Sequence, residues 1–154
     1  MIDLHTHTLF SDGSQTPNQL VEEAAAKGLT AIAVTDHDTV DGLPEALAAG
    51  ERLGVEVIPG VEINLEHDRV TMDMLGYFLA GLPNEALQEE LAELRAYRAE
   101  RNQRMIERLA ELGLPLDPED LAAAAENGAV GRPHIGEAMM RRGYVSSISE
   151  AFEL

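Results

Sequence analysis

The chain has 154 residues, 45% of them hydrophobic, with 28 acidic against 11 basic side chains, a formal charge of -17 and no cysteine. That length supports one domain with a sizeable core, and the missing cysteine excludes a disulfide framework and leaves His, Asp and Glu to hold any metal. The acidic excess disfavours bulk duplex nucleic acid, although bound divalent cations would reverse the charge locally and admit a small phosphorylated partner.

Residues 2–7 read as a short strand, and Thr16-Pro17 then opens a helix that closes at Gly28. The apolar run Leu29 to Val34 is a buried strand ending at Thr35-Asp36-His37-Asp38, and a second helix from Leu43 to Leu53 is closed by Gly54. Asp38 and Thr39 take the cap and turn before that helix, and Val55 to Ile63 forms a third strand. This βαβαβ alternation argues for parallel strands with helical crossovers, which gathers the polar clusters after each strand on one ligand-binding face of a sheet or barrel.

A hairpin turn at Glu66-His67-Asp68-Arg69 leads into a strand from Val70 to Leu79, with His67 a solvated turn residue. Gly81 and Pro83 mark a change of organisation. Beyond them, residues 84–112 show a 3.6-residue apolar period and predict one long helix. Shorter helices are predicted at Pro118 to Glu126, Pro133 to Arg142 and Ser147 to the end. Apolar stretches are broken well before the roughly 18 residues a membrane span needs. His5, His7 and Asp12 stand where a secretory signal would carry its apolar core, so the reading is a cytoplasmic protein that keeps its N-terminus and meets no membrane.

His5 and His7, two apart on a strand, point the same way, so two nitrogens can meet one ion. His-x-His alone fits polar strand residues as well as ligation; Asp12, in the Ser11-Asp12-Gly13 turn, moves the reading toward metal. His37 leaves the second strand at the same sheet end. Glu62 ends the third, where a buried carboxylate is costly unless paired or coordinating and can bridge two ions. Asp73, inside an apolar strand, raises the same question and is read as a further ligand.

Arg95, Arg98 and Arg101 recur every third residue on the long helix, and no Asp or Glu stands three or four positions from any of them. Surface salt bridges are the ordinary use of such a face, as Glu100 with Arg104 and Arg108 with Glu111 are spaced to provide. For the three arginines an external carboxylate or phosphate suits the guanidinium forks. Gly131-Arg132-Pro133-His134 adds a cation and an imidazole where a helix begins, which suits an anion as well as simple helix entry.

Together, Asp3-Leu4-His5-Thr6-His7, Ser11-Asp12-Gly13, Thr35-Asp36-His37 and Gly60-Val61-Glu62 resemble the PHP (polymerase and histidinol phosphatase) metal-dependent phosphoesterases. Leu75-Gly76-Tyr77-Phe78, the arginine-bearing helix, Gly131-Arg132-Pro133-His134-Ile135 and Gly143-Tyr144-Val145 resemble the bacterial branch acting on nucleotides and short oligonucleotides. The resemblance implies an α/β fold, the N-terminal part of a distorted (β/α)7 barrel over residues 1–82, followed by a helical, substrate-binding insertion over 83–154. It implies two or three divalent ions (Mn, Mg, Fe or Zn) on His5, His7, Asp12, His37 and Glu62, with Glu62 bridging, and hydrolysis by metal-activated water. Asp73 stands where the family usually has His, which implies a shift toward harder ions such as Mn or Mg. Arg98, Arg101, Arg132 and His134 are implied to hold the phosphates of a nucleotide or short oligonucleotide.

The family pattern continues past Leu154 with further His ligands and an Asp-x-His pair. The resemblance therefore implies a partial domain whose barrel is incomplete at the C-terminus. The alternative to a working phosphoesterase is an inactive metal- or nucleotide-binding module that needs a partner chain, and the open sheet edge also admits a homo-oligomer.

Overall fold

The computed structural model describes residues 1–67, 70–122 and 130–154, and it divides into two compact units, Met1–Leu94 and Arg95–Leu154. In the first unit the order is β1 (Ile2–Thr6), α1 (Pro17–Ala26), β2 (Ala31–Val34), α2 (Leu43–Leu53), β3 (Glu56–His67) and β4 (Val70–Tyr77). The first turns of α3 (Glu85–Glu111) complete it. One four-stranded sheet runs in the order β1-β2-β3-β4, with the first three strands parallel and β4 antiparallel to β3. This is the open part of a barrel, with β1 and β4 at its edges.

Local chemistry explains where these elements begin. Thr16 caps α1 reciprocally: its side chain accepts from the Gln19 N–H while the Gln19 side chain accepts from the Thr16 N–H, and Pro17 occupies the first turn. All four residues of β2 are buried. Ile32 and Val34 pack with Val21 and Ala24 of α1, Leu43, Ala46 and Ala49 of α2, Val61 of β3 and Leu91 of α3. The helices therefore cover one face of the sheet, and the strand ends stay available for polar side chains.

Two expectations change. The strand predicted from Val55 to Ile63 runs on to His67, because β3 pairs β4 residue for residue from Gly60 opposite Tyr77 to His67 opposite Val70. His67 thus has the backbone of a strand, while Asp68 and Arg69 of the predicted turn lie outside the described residues. The helix after Asp38 and Thr39 begins only at Leu43, with Gly42 at its cap position, so neither residue caps it. The Thr39 hydroxyl instead accepts from the Asp41 N–H in the turn before the helix.

The second unit holds the remainder of α3, a 3-10 turn at Pro118–Leu121, α4 (Arg132–Arg141) and a single helical turn, α5 (Ile148–Ala151). Leu116, Leu121, Ile135, Ala138, Met139 and Val145 form its core, against which Met105, Ile106 and Leu109 of α3 pack. The helix predicted from Pro118 starts as the 3-10 turn; its residues 123–126 lie outside the described residues. Beyond α4, Arg142 grips Asp120 and Asp117, with nitrogen to oxygen distances of 2.7 and 2.5 Å. No helix among the described residues is long and apolar enough to cross a membrane.

Candidate metal centre

β1 delivers His5 and, just past its end, His7. The strand is irregular there, with its register against β2 shifting between Asp3 and Thr6. Tyr77 of β4 holds this point, its hydroxyl donating to the Leu4 carbonyl at 2.8 Å, one residue before His5. His37 follows β2, and its backbone forms a parallel bridge with Glu62: the Glu62 N–H donates to Asp36 O and the Asp38 N–H to Glu62 O. Asp38 makes that bridge with a positive φ of 54°, a left-handed conformation a non-glycine residue adopts at some cost.

These elements aim four side chains at one point. Glu62 Oε2 lies 2.8 Å from His5 Nε2, 2.9 Å from His7 Nε2 and 3.8 Å from His37 Nε2. Asp12 closes the other side, 3.4 Å from His7 Nδ1 and 3.6 Å from His37 Nε2. Two overlapping groups result, His5 with His7 and Glu62, and His7 with Asp12 and His37, each with its ligand atoms within 4.8 Å of one another. Glu62 is only 3% exposed, so its carboxylate is removed from water and must be met by cations or donors. Imidazole nitrogens and carboxylate oxygens converging at this spacing form a donor set that fits divalent cations.

The loop carrying Asp12 is shaped by a residue that motif reading placed only in a cluster. Asp36, 2% exposed, accepts three bonds of 2.7 Å: from the Thr8 N–H and Ser11 hydroxyl on Oδ1, and from the Thr8 hydroxyl on Oδ2. Gly13 lets the loop fold back, since a Cβ there would stand 2.3 Å from the His7 carbonyl oxygen. Spacing alone could have flagged Asp36 only as a titratable residue at a strand end.

Asp73 stands apart from both groups. It lies opposite Asn64 in the β3–β4 ladder, one same-face step beyond Glu62, is exposed, and accepts from Asn64 Nδ2 at 2.6 Å. The four residues expected to bind phosphate all fall in the second unit. Arg98 is buried on α3, Arg101 Nη2 donates to Asn102 Oδ1, and Asn102 Nδ2 donates to Val130 O. Arg132 opens α4 exposed, and His134 Nδ1 accepts from the Gly131 N–H at 2.9 Å. This places the His134 ring proton on Nε2 in the neutral form.

Comparisons with known proteins identify a family and relatives of this chain. A family model described as the PHP domain matches residues 3–128. The chain is 34% identical over 155 residues to a 5'-3' exoribonuclease of Haemophilus influenzae, which covers 98% of this chain and 54% of the relative. It is 39% identical over 114 residues to a 3',5'-nucleoside bisphosphate phosphatase of Chromobacterium violaceum, covering 73% of this chain and 39% of the relative. The crystal structure of a candidate metal-dependent phosphoesterase from Bifidobacterium adolescentis superposes with a TM-score of 0.88 at 38% identity, covering 99% of this chain and 54% of the other. The chain thus spans about half the length, or less, of the relatives it matches. A family model that takes in both ligand groups, together with a shared fold over nearly the whole chain, shows that this protein belongs to the PHP domain family.

Proposed function

We propose that this chain carries a metal-dependent phosphoesterase centre acting on a nucleotide, such as a nucleoside bisphosphate, or on the end of a short oligonucleotide. The observation that carries the reading is the convergence of three imidazole nitrogens within 3.8 Å of one buried carboxylate oxygen of Glu62. His5, His7 and Glu62 would hold one ion and His7, Asp12 and His37 a second, with Glu62 between them. Asp73, two rungs along the β3–β4 ladder, is an oxygen donor available if a third is bound. Mn, Mg, Fe and Zn all suit such donors, and divalent ions held there would supply the Lewis acidity and water activation that phosphoester hydrolysis needs.

The remaining roles belong to side chains. Arg98, Arg101 and Arg132 bring guanidinium forks suited to phosphate oxygens, and His134 adds a donor through Nε2 because its Nδ1 is taken by the helix entry. The division into a metal-binding part, residues 1–82, and a helical substrate-binding segment, residues 83–154, belongs to the same reading, as does a cytoplasmic location. The relatives support the substrate class through what they are, an exoribonuclease and a nucleoside bisphosphate phosphatase. The test is release of inorganic phosphate from a nucleoside 3',5'-bisphosphate by the 154-residue chain. Release is expected with Mn, Mg, Fe or Zn supplied and should stop on chelation; no release with any of the four would overturn the reading.

A second reading follows from the relatives' greater length: the centre binds metal or nucleotide without turnover until another chain, or a second copy, completes it. Two or more ions retained per chain without phosphate release would select it.

A further inference from the structure

His5 is the one exposed residue among the five side chains of the candidate centre. It lies on β1, an edge strand with one neighbour, whose register against β2 shifts between Asp3 and Thr6, the stretch that holds His5 itself. Ile2 and Leu4 are 60% and 45% exposed, so apolar packing does not anchor the strand there. We infer that Tyr77 supplies the missing support: it is a positioning residue that braces β1 from the opposite edge of the sheet and keeps His5 against Glu62. This inference rests on the metal-centre reading above.

The register places Tyr77 on the face it needs. Tyr77 stands opposite Gly60 in the β3–β4 ladder and Leu75 opposite Glu62, and residues two apart on a strand share a face. The Tyr77 side chain therefore rises on the Glu62 side of the sheet. Gly60 gives its ring room, since a Cβ there would stand 3.2 Å from Tyr77 Cδ1 and 2.9 Å from Thr35 Cγ2. In a flat sheet of four strands at the usual spacing, β1 and β4 would lie about 14 Å apart, beyond the reach of one side chain. The Tyr77 hydroxyl nevertheless donates to the Leu4 carbonyl at 2.8 Å, so the sheet is curled and this side chain ties its two edge strands together.

The contact falls where it bears on His5. Leu4 and Thr6 carry the carbonyls on either side of that residue. Thr35, just past β2, holds the second, its N–H and hydroxyl donating to Thr6 O at 2.9 and 3.1 Å. Tyr77 holds the first, and the Thr35 methyl and the Tyr77 ring both border the space over Gly60, two residues before Glu62. The His5 backbone is thus fixed on both sides relative to the strand that carries Glu62, and His5 Nε2 lies 2.8 Å from Glu62 Oε2. Of the two ligand groups, His5 belongs to one; His7, Asp12 and His37 form the other. That second group is set by the loop bonded to Asp36 and by the bridge of His37 to Glu62. The Tyr77 brace therefore acts on one ion site and spares the other. Support of a ligand by hydrogen bonds outside the coordination sphere is a general device, and its loss typically costs about 10- to 100-fold in metal affinity.

Tyr77→Phe tests this with two readouts, because it removes one oxygen from an exposed side chain and leaves the ring over Gly60 in place. In the metal-free chain, hydrogen exchange followed by mass spectrometry should show residues 1–7 exchanging about 3- to 10-fold faster than in the parent, the scale of one hydrogen bond, with residues 56–63 unchanged. In calorimetric titration with Mn, the step lost in His5→Gln marks the site that uses His5. Tyr77→Phe should weaken that step by about 10-fold and leave the other step unchanged. Equal weakening of both steps, or an unchanged His5 step, would reduce Tyr77 to a structural contact and overturn the inference, as would unchanged exchange over residues 1–7. A parent chain that takes up no Mn would sink the metal-centre reading; faster exchange over residues 1–7 in Tyr77→Phe would then still uphold the brace.

Discussion

Among the described residues, the two units differ in where they put acidic side chains. In the first, Asp36 and Asp38 are buried just past β2 and Glu62 within β3, and three imidazoles crowd one carboxylate oxygen. In the second, the ion pairs described along the helices lie at the surface with ordinary helical spacing: Arg104 with Glu100, Arg108 with Glu111 and Arg141 with Glu137. Burying ionic groups is costly, and a fold has little reason to do so repeatedly unless the groups are paired, coordinating or orienting something. Exposed pairs contribute little individually and leave the helices free to be stabilised by their apolar core. The contrast teaches where to look for chemistry, and it can be broken experimentally.

The largest effect should come from the centre of the buried cluster. Glu62→Gln keeps the shape and removes the charge, and Mn or Zn affinity by titration calorimetry is expected to fall by about 100-fold or more, beyond the 10- to 100-fold typical of outer-shell changes. Unchanged affinity would reduce the buried carboxylate to a structural group. Next comes a matched pair in the two cores. Ile32 and Ile135 are 1% and 2% exposed, and each truncation to Ala should cost about 2–5 kcal/mol in urea unfolding. Ile32→Ala alone should also weaken metal uptake, because β2 carries the loop that ends in His37. A loss of affinity in Ile135→Ala would blur the contrast.

A smaller change probes how tightly the first unit is packed beside Glu62. A Cβ on Gly60 would meet Gly76 O and Thr35 Cγ2 at 2.9 Å, so Gly60→Ala should lose about 1–3 kcal/mol. The smallest effect belongs to the surface of the second unit. The Arg142 guanidinium, through its hydrogen bond, and then the Asp117 N–H hold the Asp120 carboxyl below its ordinary value. A lowered folded value means this contribution is complete above the unfolded carboxylate range, near 3.9, and is lost as pH falls through the folded value. Asp120→Asn should therefore lower stability slightly at neutral pH, leave it unchanged at pH below the folded value, and so flatten the acid side of the stability profile. Melts followed by circular dichroism against pH check this.

Much of the fold was legible from local rules. Thr16-Pro17, the apolar run at Leu29 to Val34 and the 3.6-residue period after residue 84 each report on neighbours in sequence, and they locate α1, β2 and α3 within a few residues. The end of β3 was less legible, because its length is set by pairing with β4 and not by its own pattern. The bounds of α2 were read correctly, but its cap was assigned to Asp38 and Thr39, whereas the Asp38 backbone is committed to the bridge with Glu62 and the Thr39 hydroxyl to the turn at Asp41.

The candidate site divides in the same manner. His5, His7, Asp12, His37 and Glu62 stand out in sequence because residue type and position at a strand end suffice to propose them, and the structure brings them together. Sequence alone also determined that any metal must be held by nitrogen and oxygen, as there is no cysteine. Only the tertiary structure decided that Asp73 faces Asn64 outside both groups, that Tyr77 reaches back to Leu4, and that Asp36 governs a loop 28 residues earlier. The physical reason is range: periodicity and turn chemistry encode contacts a few residues away, whereas a hydrogen bond between distant segments exists only once the sheet has set them side by side.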